Sequence, residues 1–145
     1  MLLIDTYVGS SSIEGTGVFA AEFIRAGQHV WTLNTMFDRL IAQDQYLASP
    51  APLRDFIDRY AYFDATLGAY LLDGDHSRFL NHSSEPLIAF MEDGDGYATR
   101  DIASGEELTC NYNDFLPSGP SHGDLLCVLN GVEPSAHTAT RRAGT

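Results

Sequence analysis

The sequence contains no lysine. All eight of its basic residues are arginines, set against 20 acidic ones, and the formal charge is −12. Such a surface repels nucleic acid, whose phosphates must be neutralised by basic side chains, and it draws in basic polypeptides. A basic protein partner is expected, with no direct contact to nucleic acid. Cysteine is scarce as well: Cys110 and Cys127 supply neither a disulfide framework nor the four ligands of a structural zinc site. Two free buried thiols are expected, and no metal.

Long apolar runs are also missing. The longest fall far short of the roughly 20 residues that span a bilayer, and Met1-Leu2-Leu3-Ile4 meets Asp5 without the basic flank of a secretory leader. An intracellular protein is expected, cytoplasmic in a bacterium, with no membrane association. Neither repeats nor low-complexity segments occur. What remains is 145 residues with 44% hydrophobic and 19% charged, enough for one domain with a modest core.

Short β-segments broken by turns are predicted at Leu2-Leu3-Ile4, Gly17-Val18-Phe19 and Val30-Trp31-Thr32-Leu33, with a tight turn at Arg25-Ala26-Gly27-Gln28. Leu53, Phe56, Ile57 and Tyr60 recur at three- and four-residue steps behind Ser49-Pro50, predicting one amphipathic helix over about residues 49–60. Strands are predicted again at Tyr60-Ala61-Tyr62-Phe63 and Tyr70-Leu71-Leu72, then as a hairpin of Ile88–Met91 and Tyr97–Arg100 around the acidic, glycine-containing turn at residues 92–96. After Tyr112 the pattern weakens.

Three segments carry chemistry. Gly15-Thr16-Gly17-Val18-Phe19-Ala20 is a glycine pair that lets backbone approach a ligand before a strand begins. It is no dinucleotide fingerprint, because a third glycine and a following helix are missing. The second is Arg78-Phe79-Leu80-Asn81-His82-Ser83, a polar run behind an apolar pair. His76 and His82 match no helical metal-ligand spacing, so a hydrogen-bonding role is expected for them. The third runs from Ala98 to Tyr112 and contains Gly105-Glu106-Glu107-Leu108. Taken singly, each reads as a turn or a pair of strands.

In this order, however, the three resemble the SET-domain methyltransferases over about residues 3–114, and Ile24-Arg25-Ala26-Gly27-Gln28 agrees with the turn usual after the first motif. The resemblance implies a mainly β fold of several small sheets with a small helical insert, and a knot-like C-terminal crossing of the segments around Asn81-His82 and Tyr112. It further implies a SET domain over residues 1–116 with a variable helical insert at about 36–60, a closing segment at 117–133 and a disordered tail at 134–145.

The activity implied is methyl transfer from S-adenosylmethionine to a lysine of another, basic, histone-like protein. Gly15, Thr16, Gly17, Val18, Phe19, Arg78, Phe79, Asn81, His82 and Tyr112 match cofactor-contacting positions. Tyr112 also matches the catalytic tyrosine, with either Tyr60 or Tyr62 as the second, since residues two apart share a strand face. Cys110 stands where an aromatic ring often limits product state, so room for a second and third methylation is expected. Flanking zinc clusters are absent, and Phe115, residues 125–129 or a second copy of the chain in a homodimer could close the cofactor side.

Ser84, Leu87 and Asn111 depart from the cysteine, asparagine and aspartate usual in the family. They leave room for a second reading, a catalytically inactive SET-like module that binds peptide or cofactor without turnover. A β-rich structural or sugar-binding domain would instead fail to bind S-adenosylmethionine.

Overall fold

The structure, a computed structural model, describes residues 1–64 and 67–115. The expected closing segment, tail and Cys127 lie outside the described residues. Strands β1 (Thr6–Ser10), β2 (Thr16–Ala20), β3 (His29–Trp31) and β4 (Arg39–Ala42) are followed by helices α1 (Gln43–Ala48) and α2 (Ala51–Tyr60). Then come β5 (Ala61–Asp64), β6 (Ala69–Leu72), β7 (Asn81–His82), β8 (Ile88–Phe90), β9 (Gly96–Ala98) and β10 (Glu107–Cys110), with 3-10 turns at His76–Phe79 and Tyr112–Phe115.

One sheet runs β1-β2-β10-β8-β9-β3, with β7 also paired to β10; the other is β4-β6-β5. Most neighbours are antiparallel, but β10 lies parallel to both β7 and β8. Parallel neighbours cannot be joined by a tight turn and need a crossover. That requirement carries the chain from β8 through β9 and the glycine turn at Gly105 (φ +91°) before it returns as β10 between β2 and β8, where it also pairs with β7. The expected meeting of the Asn81-His82 and Tyr112 segments therefore follows from strand order.

Val18, Ala20, Ile24, Val30, Ile88, Ile102 and Leu108 are fully enclosed in the core of the larger sheet. A second cluster of Ile57, Ala61 and Tyr70 sits under the helices. There the Tyr46 and Tyr70 rings stack 4.6 Å apart.

Several expectations need correction. Thr6–Ser10 forms a strand, whereas Leu2-Leu3-Ile4 makes only an isolated bridge from Leu2 to Trp31; the polar Thr6–Ser10 segment is held by pairing to β2 rather than by its own apolar pattern. The expected helix begins at Ala51 with Pro50 as its cap, and α1 precedes it unforeseen. No residue of α1 is buried, so it has no apolar period to read. On α2 only Ile57 is fully enclosed, while Leu53 and Phe56 remain 46% and 38% exposed. Tyr60 closes this helix instead of opening a strand. The hairpin of β8 and β9 is as expected, with Met91 N–H donating to Asp95 O at 3.0 Å around Gly94 (φ +86°).

Three carboxylates, Asp38, Asp73 and Asp75, meet where the two sheets join. Asp38 accepts from the Met1 ammonium (3.0 Å), Asn34 N–H and Gly74 N–H. Asp73 accepts from Trp31 Nε1–H at 3.2 Å, and Asp75 from the N–H groups of Leu2 and Ser77 and from the Ser77 hydroxyl. Burial raises the Asp73 carboxyl to about 6. Burial acts against the Asp75 charge too, yet its donors outweigh that and hold it below the ordinary carboxylate range. The cluster fixes the bend between β6 and the 3-10 turn that leads into β7.

Candidate active site

The site is built where β7 and β10 run side by side, Asn81 opposite Thr109 and His82 opposite Cys110. Beyond β10 the chain turns sharply at Asn111, whose Oδ1 accepts from Asn113 N–H at 3.0 Å. An asparagine makes this local turn as well as an aspartate, so the departure at this position leaves the backbone intact. The turn sets Tyr112 against the preceding strand. Its backbone N–H donates to His82 Nδ1 (3.2 Å) and its hydroxyl donates to Leu80 O (2.7 Å). The bond to Tyr112 identifies Nδ1 as the acceptor nitrogen of His82, so Nε2 carries the proton of the neutral ring. The role of His82 here is to hold Tyr112.

The glycine segment is clamped onto the same crossing. Ser11 N–H donates to Gly15 O at 2.8 Å to close the β1–β2 loop, and Gly15 takes φ +49°, which glycine adopts freely. From β7, the two protons of Asn81 Nδ2 are shared among Glu14 O (3.1 Å), Thr16 O (3.2 Å) and Glu107 Oε1 (2.9 Å). Ser11 and Glu107, absent from the expected site, complete the clamp, with Ser11 Oγ–H donating to the Glu107 carboxylate at 2.7 Å. The only sequence signal for them was the second glutamate of Gly105-Glu106-Glu107. Its neighbour Glu106 has a different task, pairing with Arg100 at 2.8 Å and accepting from Ala103 N–H.

The remaining expected residues divide by what their side chains already contact. Val18 is fully enclosed in the core, so only its backbone can face a ligand, and the Phe19 ring stacks on Tyr7 at 5.4 Å. Thr16 is exposed beside the loop. Phe79 packs against the core and meets Tyr60 edge-on at 5.8 Å, with Arg78 6.0 Å from the Phe79 ring.

Tyr60 and Tyr62 do not share a strand face, because the first ends α2 and the second lies in β5 opposite Leu71. Tyr60 belongs to an aromatic group with Phe56 and Phe79. Tyr62 instead packs on the core that contains Cys110 and Leu80, as Tyr112 does, and β5 lies against the turn bearing Tyr112. Burial pushes the Tyr62 phenol up, with Asp73 and Asp64 adding to it, and burial likewise pushes the Cys110 thiol up. Both stay protonated at neutral pH. Leu87 is buried and donates its N–H to Thr109 Oγ1 at 3.2 Å, so that departure serves packing beside β10.

Comparison with known proteins gives one family: the SET domain model matches residues 15–113. A Plasmodium falciparum (isolate 3D7) protein named "Putative histone-lysine N-methyltransferase 1" is 31% identical over 133 residues, covering 83% of this chain but 2% of that protein. The chain thus spans a small fraction of this curated relative. The crystal structure of a Plasmodium falciparum "putative histone methyltransferase" shares the fold at TM-score 0.55 and 22% identity, over 83% of this chain and 98% of that one. Polycomb Repressive Complex 2 of Chaetomium thermophilum, bound to S-adenosylmethionine in an autoinhibited conformation, matches at TM-score 0.55 and 25% identity, over 79% of this chain and 16% of that one.

Proposed function

Because this chain belongs to the SET-domain family, we propose that it transfers methyl groups from S-adenosylmethionine to lysine side chains of a basic protein. The observation that carries the reading is the single hydrogen-bonded unit at the crossing. Asn81 of β7 ties down the glycine loop, while Leu80 and His82 of the same segment hold Tyr112. The segments that match the cofactor loop and the catalytic tyrosine are thereby fixed to one another. A curated relative bears a histone-lysine methyltransferase name, and a solved relative holds the cofactor.

The loop suits that cofactor. The space where a side chain would stand at Gly15 is open, and the loop meets the side chain of Asn81, which would hold the ligand together with the backbone of residues 15–19. When bound, S-adenosylmethionine supplies an electrophilic methyl group on a positively charged sulfur. The lysine must arrive as a neutral amine, although in water it stays protonated up to about pH 10.4. Tyr62 and Tyr112 line the region with phenols, and the apolar core behind them disfavours an ammonium by desolvation. Because Tyr62 and Cys110 are held neutral, neither supplies a negative charge to stabilise the ammonium. Tyr62, and not Tyr60, is the second active-site tyrosine, because it shares the core with Cys110 and Tyr112. Holding the amine in line is the principal work, and well-oriented reactants can gain on the order of 7 to 11 kcal/mol.

The acidic chain selects a basic, lysine-containing partner by charge. Cys110 is smaller than the aromatic ring that often limits product state at this position, which favours repeated methylation, so the product is di- or trimethyl-lysine. Incubation with labelled S-adenosylmethionine and a cell lysate tests the activity. Label on lysines of basic proteins is expected. Cofactor binding by calorimetry with no labelled product would identify a binding module, and absence of both would overturn the assignment.

A further inference from the structure

Glu107 is a carboxylate without a cation: among the described residues no basic side chain pairs with it. Its partners are neutral donors, the Ser11 hydroxyl at 2.7 and 2.9 Å to its two oxygens and Asn81 Nδ2 at 2.9 Å. It also occupies the space beside Gly17, where a Cβ would stand 2.8 Å from Glu107 Cδ and 3.1 Å from Ser11 Cβ. A side chain at position 17 would therefore have to displace the Glu107 carboxylate from its hydrogen bonds, so the second glycine makes room for an internal carboxylate as well as for a ligand.

The chemistry of Asn81 gives the carboxylate its purpose. Three acceptors, Glu14 O, Thr16 O and Glu107 Oε1, surround its amide nitrogen, which fixes the side-chain orientation, since a flipped amide would set oxygen against oxygen. The amide oxygen accepts no hydrogen bond from the described residues. Among those residues nothing competes for it with the donor of a ligand. Ser11 works from the other end of the loop, accepting from Ile13 N–H at 2.8 Å while donating to Glu107. One carboxylate thus links β10, the entry of the loop and the side chain of β7 beneath it.

We propose that Glu107 is a positioning residue of the cofactor site, holding the Ser11–Gly17 loop and the Asn81 amide in the arrangement that binds S-adenosylmethionine. The inference rests on the cofactor assignment above. Glu107 acts through hydrogen bonds and not through its charge, so it serves S-adenosylmethionine and its neutral product S-adenosylhomocysteine alike.

Calorimetry with both compounds, on wild type, Glu107→Ala, Glu107→Gln and Ser11→Ala, tests this, with unfolding followed in parallel to fix the folded fraction. Glu107→Ala should weaken both compounds about tenfold or more, the scale of a lost hydrogen bond to a charged group. Glu107→Gln keeps an oxygen acceptor and should restore both to within about threefold of wild type. Ser11→Ala, at the half-buried outer end of the clamp, should fall between them and speed hydrogen exchange at the Ile13 amide. Wild-type affinity in Glu107→Ala, or in Ser11→Ala if the alanine at 107 does not fold, overturns the proposal. Selective loss of S-adenosylmethionine but not S-adenosylhomocysteine in Glu107→Gln overturns the positioning role in favour of charge. Failure of the wild type to bind either compound would instead refute the cofactor assignment on which the inference rests.

Discussion

Replacing Asp73 by asparagine should remove a pH dependence that the fold builds into its core. In the folded chain this carboxyl titrates at about 6 against an ordinary 3.8. Burial is the main cause; the Met1 ammonium and Ser77 offset part of it, and the Asp38 and Asp75 charges add to it. A carboxyl raised on folding binds its proton more tightly in the native state, so its stabilisation is complete below about pH 3.8 and lost as pH rises through about 6. At 1.36 kcal/mol per pH unit this is about 3 kcal/mol in all, of which about 2 kcal/mol falls between about pH 4.5 and pH 7.5. Asparagine has the same shape, its Oδ1 can still accept from Trp31 Nε1–H, and its N–H groups can donate to the neighbouring carboxylates. Asp75, held below its ordinary range, works in the opposite sense, stabilising above that range and failing as pH falls, but its transition lies below that interval. Urea unfolding of wild type and variant across that interval measures the difference directly. The variant should gain about 2 kcal/mol on the wild type as pH rises. Parallel stability curves, or a wild type that gains on the variant, would refute the reasoning.

Tyr112→Phe removes the hydroxyl bond to Leu80 O; stability should fall by about 1 kcal/mol, too little to unfold a typical domain, while methyl transfer drops about a hundredfold or more and calorimetric cofactor affinity changes little. Undiminished methylation would remove Tyr112 from the mechanism. For product state, mass spectrometry at long times should find di- or trimethyl-lysine from the wild type and a shift toward monomethyl-lysine in Cys110→Tyr; because Cys110 is buried in the core, that variant should also lose about 1 to 3 kcal/mol by overpacking. Monomethyl-lysine alone from the wild type counts against the role of Cys110. With a lysine-rich peptide, KM should rise as ionic strength goes from about 0.01 M to 0.15 M and the Debye length shrinks from about 30 Å to 8 Å; a KM indifferent to salt would point to apolar recognition.

The linear order of residues was enough to identify the three motifs, because each depends on a local property: glycines that free the backbone, a polar run behind apolar residues, a turn between strands. It also determined the hairpin of β8 and β9 and the body of α2, whose signals are likewise local. Composition alone set the charge that favours a basic partner. What tertiary structure decided was which side chains the motifs spend on each other. Asn81 and Glu107 are 26 residues apart and Ser11 and Glu107 are 96 apart, so no window on the sequence could join them, and Gly17 looked like a ligand contact until the carboxylate beside it was placed. The choice between Tyr60 and Tyr62 failed for the same reason. It assumed one continuous strand, and the packing of Ile57 under Tyr70 carries the helix through Tyr60, so the two rings leave the backbone from different elements. The cluster of Asp38, Asp73 and Asp75 was equally invisible, because only the joining of β3 and β6 through Trp31 and the Met1 ammonium brings the three carboxylates together, in a place where burial makes the ionisation of Asp73 costly.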